Sequence, residues 1–229
     1  MVFSFNENFS KTARENMLFG QLIPNRISDI RLLDAMENVA REKFLPERLA
    51  GRAYADETIR IDDRQLLFSP VILARLLSAA EFAPNDFVLD IGSGTGYSAA
   101  VMAHLTQAVV ALESDSGLCD TAQQILIDAG TDNVAVINKN PEEGFPSQAP
   151  FDVIFMERIT FHVPEALESQ LAENGRLIGV VSRNGSRTGQ AVKIVRHGES
   201  LTRSVLFDLD LSGFSNASSY KRFVFETVS

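Results

Sequence analysis

VLDIGSGTGYSAA, residues 88–100, runs from an apolar strand-like segment ending at Ile91 into three glycines in five positions, Gly92, Gly94 and Gly96, and then resumes with helical composition. It reads as strand, tight turn and helix. Glycines at such a turn let backbone amides face a ligand with no side chain between. Spacing separates the ligands that use this geometry. A dinucleotide fingerprint wants its third glycine at the sixth place, which here is Tyr97. A phosphate loop wants Lys followed by Ser or Thr after its last glycine, whereas this chain has Tyr97 and Ser98. Asp90, two places before the first glycine, would repel a pyrophosphate and suits a ligand that carries an ammonium and a sulfonium.

S-adenosylmethionine is such a ligand. One βα unit downstream, AVVALESD (residues 108–115) is another apolar run closed by an acid, Glu113. In a doubly wound sheet this residue ends the neighbouring strand, about twenty residues after the turn, where a carboxylate can accept ribose hydroxyls. A solvated strand end is the alternative reading of Glu113.

The 229 residues suffice for one large domain with an N-terminal extension, and we place the division at 1–83, a helical and substrate-side region, and 84–229, the sheet core. Apolar residues make up 45% and charged residues 22%, ordinary for a soluble globular protein, and no apolar stretch reaches the length of a membrane span. The opening residues lack a basic region followed by an apolar core, so no secretory leader is expected. The single cysteine, Cys119, allows no internal disulfide, and a reducing cytoplasm is the expected location. A net charge of −9 argues against nucleic acid as the main partner, since that affinity comes from phosphate neutralisation by Lys and Arg. The basic spot from Arg183 to Arg187 is too short to reverse this. His104, His162 and His197 fall on different elements without a cysteine nearby, so no metal site is expected.

Along the chain, helices are predicted within residues 10–22 and 28–40, the second capped by Ser28. Residues 41–70 read as a long, largely irregular and functional connection. Ser69 followed by Pro70 predicts a helix start. From Phe87 onward strands and helices alternate as a parallel sheet demands, with strands at 87–91, 109–113, 134–138, 151–156 and 174–181, and a helix at 164–173 before the last of these. Residues 190–198, 201–211 and 221–228 read as antiparallel strands added to the parallel core.

On these segments the sequence resembles the protein-L-isoaspartate (D-aspartate) O-methyltransferase family. The carriers are AREKFLP (40–46), RAYAD (52–56), the glycine turn, VVALESD (109–115), APFDVIF (149–155) and VPEALESQLAENGRLIGVV (163–181), in order. The resemblance implies a Rossmann-like S-adenosylmethionine-dependent methyltransferase domain with a helical N-terminal addition, acting on a protein or peptide and not on nucleic acid or membrane. It places Gly92, Ser93, Gly94, Thr95 and Gly96, with Asp90 and Tyr97 beside them, on the methionine portion of the donor, and Glu113 with Ser114 at the ribose. Where the family uses an acid for adenine, in a GDG turn, this chain has Asn140, whose amide oxygen can still accept from an amino group.

The acceptor segment departs from the family. Its members show GQTIS, a variable residue and Pro, whereas this chain has RQLLFSP. Gln65 is kept, Leu66 replaces Thr, Phe68 replaces Ser, and Ser69 falls on the variable position, either as a shifted catalytic hydroxyl or as the helix cap. Tyr54 and Asp56 match the family's substrate-side segment, although Asp56 also fits a capping or turn role. Glu157 and Arg158 follow the fourth strand, as ligand contacts or as a surface ion pair. Methyl transfer to a carboxylate that is already ionised, with a pKa near ~4, requires no general base. The leading expectation is carboxyl methylation of damaged aspartyl residues. The alternatives are a methyltransferase with a changed, more apolar acceptor and a non-catalytic donor-binding module.

Overall fold

The computed structural model describes residues 7–62, 65–182 and 187–211. Helix α1 (Glu7–Met17) runs directly into a π-turn, Leu18–Leu22, and α2 (Ile30–Asn38) follows. The cap of α2 is Asp29 and not Ser28: the Asp29 carboxylate accepts from the Arg31 amide at 2.9 Å and also pairs with its guanidinium, which a serine cannot do. The stretch expected to be irregular contains a 3₁₀ turn, Arg41–Phe44, the short α3 (Glu47–Ala50) and an antiparallel hairpin of β1 (Ile59–Arg60) and β2 (Leu66–Leu67).

Helix α4 (Pro70–Ala80) starts where Ser69 and Pro70 place it, with the Ser69 hydroxyl accepting from the Ile72 amide at 3.3 Å. Its apolar face buries Leu73, Leu76, Leu77 and Ala80, each large side chain worth about 1.5–3 kcal/mol. Alternation then sets in: β3 (Phe87–Ile91), α5 (Tyr97–Ala103), β4 (Ala108–Glu113), α6 (Ser116–Asp128), β5 (Val134–Asn138), β6 (Phe151–Thr160), α7 (Glu165–Glu168), β7 (Leu171–Ser182), β8 (Thr188–His197) and β9 (Ser200–Asp210). Seven strands pair in the order β5-β4-β3-β6-β7-β8-β9, the first five parallel and the last two antiparallel. The chain winds outward from β3 to β5 and then crosses back to β6 on the other side of β3. That reversal opens a crevice above the carboxyl ends of β3 and β6, the place where open α/β sheets bind ligands.

Two predicted elements differ in extent, for reasons that lie in strand pairing. The helix expected over 164–173 is the single turn α7, because Leu171 already pairs with Phe151 and the Phe151 amide bonds to the Gln170 carbonyl at 2.9 Å. Sheet pairing overrides the helical composition there. The fourth parallel strand does not stop at Met156. It continues to Thr160 through a bulge, since β6 advances from Phe155 to Ile159 while β7 advances only from Ile178 to Val180. Glu157 and Arg158 therefore lie in the bulge and not beyond the strand. The tail strands at 190–198 and 201–211 are β8 and β9; the one expected at 221–228 lies outside the described residues, as do positions 183–186 of the basic spot.

One apolar cluster spans the expected division at residue 83, joining Met17, Leu32, Phe44 and Phe68 to Val88, Val109, Val153 and Phe155 on one sheet face. Leu89, Ile91, Val110, Leu112 and Ile154 form the other face, the period of two that strands require. A buried ion pair locks α4 onto the sheet. Arg176 on β7 meets Asp86 at 2.5 Å and donates to the carbonyls of Ala80 and Glu81 where α4 ends, while Asp86 also accepts from the Ala83 amide. Breaking a buried pair strands its partner's charge at about 3–5 kcal/mol. Arg176→Met is expected to lower the urea midpoint by an amount equivalent to about 3 kcal/mol with an unchanged m-value, measured by equilibrium unfolding; a shift below one third of that would refute the clamp.

Candidate active site

The turn after β3 takes backbone shapes that side chains resist: φ is +74° at Gly92, +55° at Gly94 and +90° at Gly96. A Cβ at Gly92 would also overlap the Arg158 stem, and one at Gly94 the Gln65 amide. Four of the turn's amides bond within the protein. Gly92 and Ser93 donate to the Leu112 carbonyl, Gly94 to the Glu113 carboxylate and Gly96 to the Ser93 carbonyl. What the turn offers is room, with carboxylates around it.

A cleft of about 280 Å³ lies above it. Among the described residues four acids line it, Asp62, Glu113, Asp115 and Glu157, with Arg158 as the one cation and Leu66 and Leu118 as apolar wall. Glu113 closes β4 at the cleft and is not a solvated strand end, being 7% exposed. One of its oxygens accepts from the Ser114 amide and hydroxyl and the Asp115 amide; the other accepts only from Gly94 at 3.2 Å. A carboxylate has about four acceptor sites spread over two oxygens. The second oxygen keeps room for a hydroxyl.

Beside the turn lies a buried trio, of which Glu157 also lines the cleft. The Ser98 hydroxyl is 2.8 Å from Asp90 and 2.6 Å from Glu157. The outer oxygens of both acids, the Ser93 hydroxyl and the Gln65 carbonyl oxygen are buried without a hydrogen-bond partner. Orphaned buried acceptors are costly, and a cationic, hydroxyl-bearing ligand supplies the donors they lack. Burial raises the Asp90 carboxyl to about 7, with Glu113's charge adding to it and the Ser98 hydrogen bond opposing it. Glu157 is pushed well up by burial and then by Asp90, against Ser98 and Arg41.

The other predicted residues divide between the cleft and the scaffold. Gln65 and Leu66 line the cleft, and Ser114 stands at its edge. Thr95 turns away to donate to the Phe44 carbonyl at 2.7 Å. Tyr97 is buried edge-on to Phe44, with ring centroids 5.5 Å apart, under the Arg41 guanidinium at 4.9 Å. Phe68, in the family's serine place, is wholly buried in the core and is not among the residues lining the cleft. Ser69 is 4% exposed and caps α4, and Asp56 accepts from the Val71 amide in the same first turn. The Tyr54 hydroxyl donates to Glu42. Asn140 is exposed and bonds within its own turn, to Glu143 and the Glu142 amide.

Three contributors escaped the sequence. Ser98 sits eight residues after Asp90, a spacing that means nothing until strand and helix fold together. Asp62 reaches the cleft from the β1–β2 connection. Arg41, fully buried, donates to the carbonyls of Ala53 and Phe68 and binds the N-terminal segment to the acceptor segment. Among the described residues no group of three or more His, Cys, Asp or Glu is placed to hold a metal, and no helix is long and apolar enough to cross a membrane.

A parallel sheet reversing at β3, a glycine turn at its carboxyl end and an acid closing β4 define a Rossmann-like, S-adenosylmethionine-dependent methyltransferase. Residues 13–206 match the protein-L-isoaspartate(D-aspartate) O-methyltransferase family. The chain belongs to that family. Protein-L-isoaspartate O-methyltransferase 1 of Syntrophobacter fumaroxidans is 37% identical over 191 residues, 83% of this chain and 87% of the relative. The protein-L-isoaspartate O-methyltransferase of Koribacter versatilis is 40% identical over 183 residues, 80% of this chain and 81% of the relative. Among solved structures a protein-L-isoaspartate O-methyltransferase superposes with a TM-score of 0.76 at 27% identity, covering 86% of this chain and 64% of the other, so this chain spans less than two thirds of that one. A beta-aspartate methyltransferase (PCMT) from Plasmodium falciparum, in complex with S-adenosyl-L-homocysteine, shares the fold with a TM-score of 0.71 at 24% identity, over 87% of this chain and 95% of that one.

The buried acids make stability depend on pH. An acid whose folded pKa lies above its unfolded value stabilises fully below the unfolded value, near ~4, and that contribution is lost as pH rises through the folded value. The protein without ligand is expected to lose stability from about pH 5 to pH 8 at this pair. Glu157→Gln removes one of the titrating groups. Its melting temperature should exceed that of the parent at pH 8, by about 2–4 °C per kcal/mol relieved, and should not exceed it at pH 5. Thermal melts at the two pH values decide, and equal changes at both would refute the shared burial cost.

Proposed function

We propose that the protein methylates the free carboxylate of isoaspartyl residues in damaged proteins and peptides, with the donor held over the glycine turn by Asp90, Glu113 and Glu157. The observation that carries this reading is the charge layout of the cleft: among the described lining residues, the carboxylates of Asp62, Glu113, Asp115 and Glu157 stand with one cation, Arg158. When bound, S-adenosylmethionine supplies an electrophilic methyl group on a sulfonium. The protein's own residues have the remaining tasks.

Glu113 accepts a ribose hydroxyl on its less occupied oxygen, and Ser114 stands beside it. Gln65 lies over Gly94 with its side-chain oxygen unpartnered, and that oxygen would accept from a bound donor. Asn140 would reach an adenine amino group only by releasing Glu142 and Glu143. On the acceptor side, Leu66 stands where the family carries threonine, Phe68 is in the core and Ser69 is committed to its cap. Arg158, projected over Gly92 by the β6 bulge, lines the cleft and would orient an anionic acceptor, since a guanidinium fits a carboxylate in two-point fashion. Since an ionised carboxylate is already nucleophilic, alignment beside a partly apolar wall supplies the acceleration, and no general base is assigned.

Labelled methyl transfer to an isoaspartyl peptide and to its aspartyl twin tests the reading. Incorporation is expected into the first only; donor binding with incorporation into neither would overturn it. Arg158→Leu should raise KM for the peptide about 10–100-fold, the worth of a hydrogen bond to a charged group, with a much smaller change in donor affinity. An unchanged KM would remove Arg158 from acceptor recognition.

A further inference from the structure

The trio beside the turn cannot be fully ionised as it stands. A serine hydroxyl carries one hydrogen, and ionised carboxylates only accept. Ser98 nevertheless stands within hydrogen-bond distance of both Asp90, at 2.8 Å, and Glu157, at 2.6 Å. Its proton fills one of these contacts. The other closes without repulsion only if that carboxyl group brings its own proton to the serine oxygen. The two acids together therefore hold one proton and one negative charge.

Charge balance across the interior agrees with this. Arg41, fully buried, places a positive charge that favours ionisation of Glu157. One ionised carboxyl group offsets Arg41, and the second stays neutral because Asp90 and Glu157 disfavour each other's charge and Glu113, at the end of β4, opposes both. Asp62 on the hairpin side is a further negative neighbour of the cleft, and Arg158 next in the bulge is a positive one. Glu157, 5% exposed, nevertheless lines the cleft and keeps an oxygen without a partner, as does Asp90, 0% exposed. Those oxygens are where a positive charge arriving from the cleft can be received.

We infer that Asp90, Ser98 and Glu157 form one cation-recognition unit, which takes up a positive centre of the methyl donor in exchange for one proton released to solvent. The inference rests on the donor site proposed above. In the exchange a carboxyl O–H bond breaks, the proton passes to water or buffer, and the freed carboxylate pairs with the incoming cation, so that the interior keeps its net charge. The unit favours a positively charged ligand over a neutral one of the same shape and makes donor affinity rise with pH. For each proton released the dissociation constant falls about tenfold per pH unit while the pair still holds its proton, and levels off above that range.

Isothermal titration of the full chain with S-adenosylmethionine, in two buffers of different ionisation heat, counts the proton directly. The working range is pH 5.5–7.0, below the titration of the ligand's own amino group at about 8. Release near one proton at the acid end, with the dissociation constant falling about tenfold over the next pH unit, is the expected result. S-adenosylhomocysteine identifies the positive centre: equal release with both ligands assigns the ammonium and release with the sulfonium compound alone assigns the sulfonium, and either supports the exchange. Tight binding of S-adenosylmethionine with buffer-independent heat overturns it and leaves the methyltransferase reading standing; failure to bind at all removes both. Glu157→Gln should bring the release close to zero and flatten the pH dependence, and a variant that still releases one proton would exclude the unit as the source. The parent protein alone settles the proton count, whatever the variant's stability.

Discussion

Parallel pairing of β3 with β4 on one side and β6 on the other is the constraint from which the site follows. Because the chain leaves β3 in one direction and returns on its far side, no helix crosses above that junction, and the strand ends stay open to a ligand. The three strands deliver their last residues to one place: Asp90 and the glycine turn from β3, Glu113 from β4, and Glu157 with Arg158 from β6. No loop longer than the β3–α5 turn is needed to gather them.

The N-terminal third completes this arrangement from above. Arg41 reaches from the 3₁₀ turn to the carbonyls of Ala53 and Phe68, so one guanidinium ties together the AREKFLP, AYAD and acceptor segments. Thr95 ties the glycine turn to the same 3₁₀ turn through the Phe44 carbonyl. Burying an arginine is expensive unless its donors are used; Nε and Nη2 of Arg41 are used in these two bonds, while Nη1 is buried without a hydrogen-bond partner. The apolar cluster running from Met17 to Leu211 has the same consequence: the donor side and the acceptor side are packed together on one sheet face.

Much of this was legible in the sequence wherever the signal is local. The glycine turn, the Ser69–Pro70 helix start, β5 at 134–138 and the acids Asp90 and Glu113 follow from short-range stereochemistry and strand period. What stayed hidden depends on pairing between distant segments. The β6 bulge exists because β7 sets its register, and nothing in FDVIFMERIT marks the two extra residues. The helix read over 164–173 gave way to a strand because Leu171 had a partner in Phe151. Phe68 and Leu66 are two apolar residues two places apart, yet one fills the core and the other faces the cleft. The internal bonds of the turn were hidden similarly, since the carbonyl of Leu112 and the carboxylate of Glu113 that accept from Gly92, Ser93 and Gly94 arrive from the neighbouring strand.

Because those amides are satisfied internally and its three glycines rest in backbone shapes natural to them, the turn is self-supporting. Departure of a spent nucleotide leaves the amides of Gly92, Ser93, Gly94 and Gly96 bonded as they are. The Arg158 stem lies against Gly92 and the Gln65 amide against Gly94, so a ligand that settles on the turn meets those two side chains before it meets the backbone.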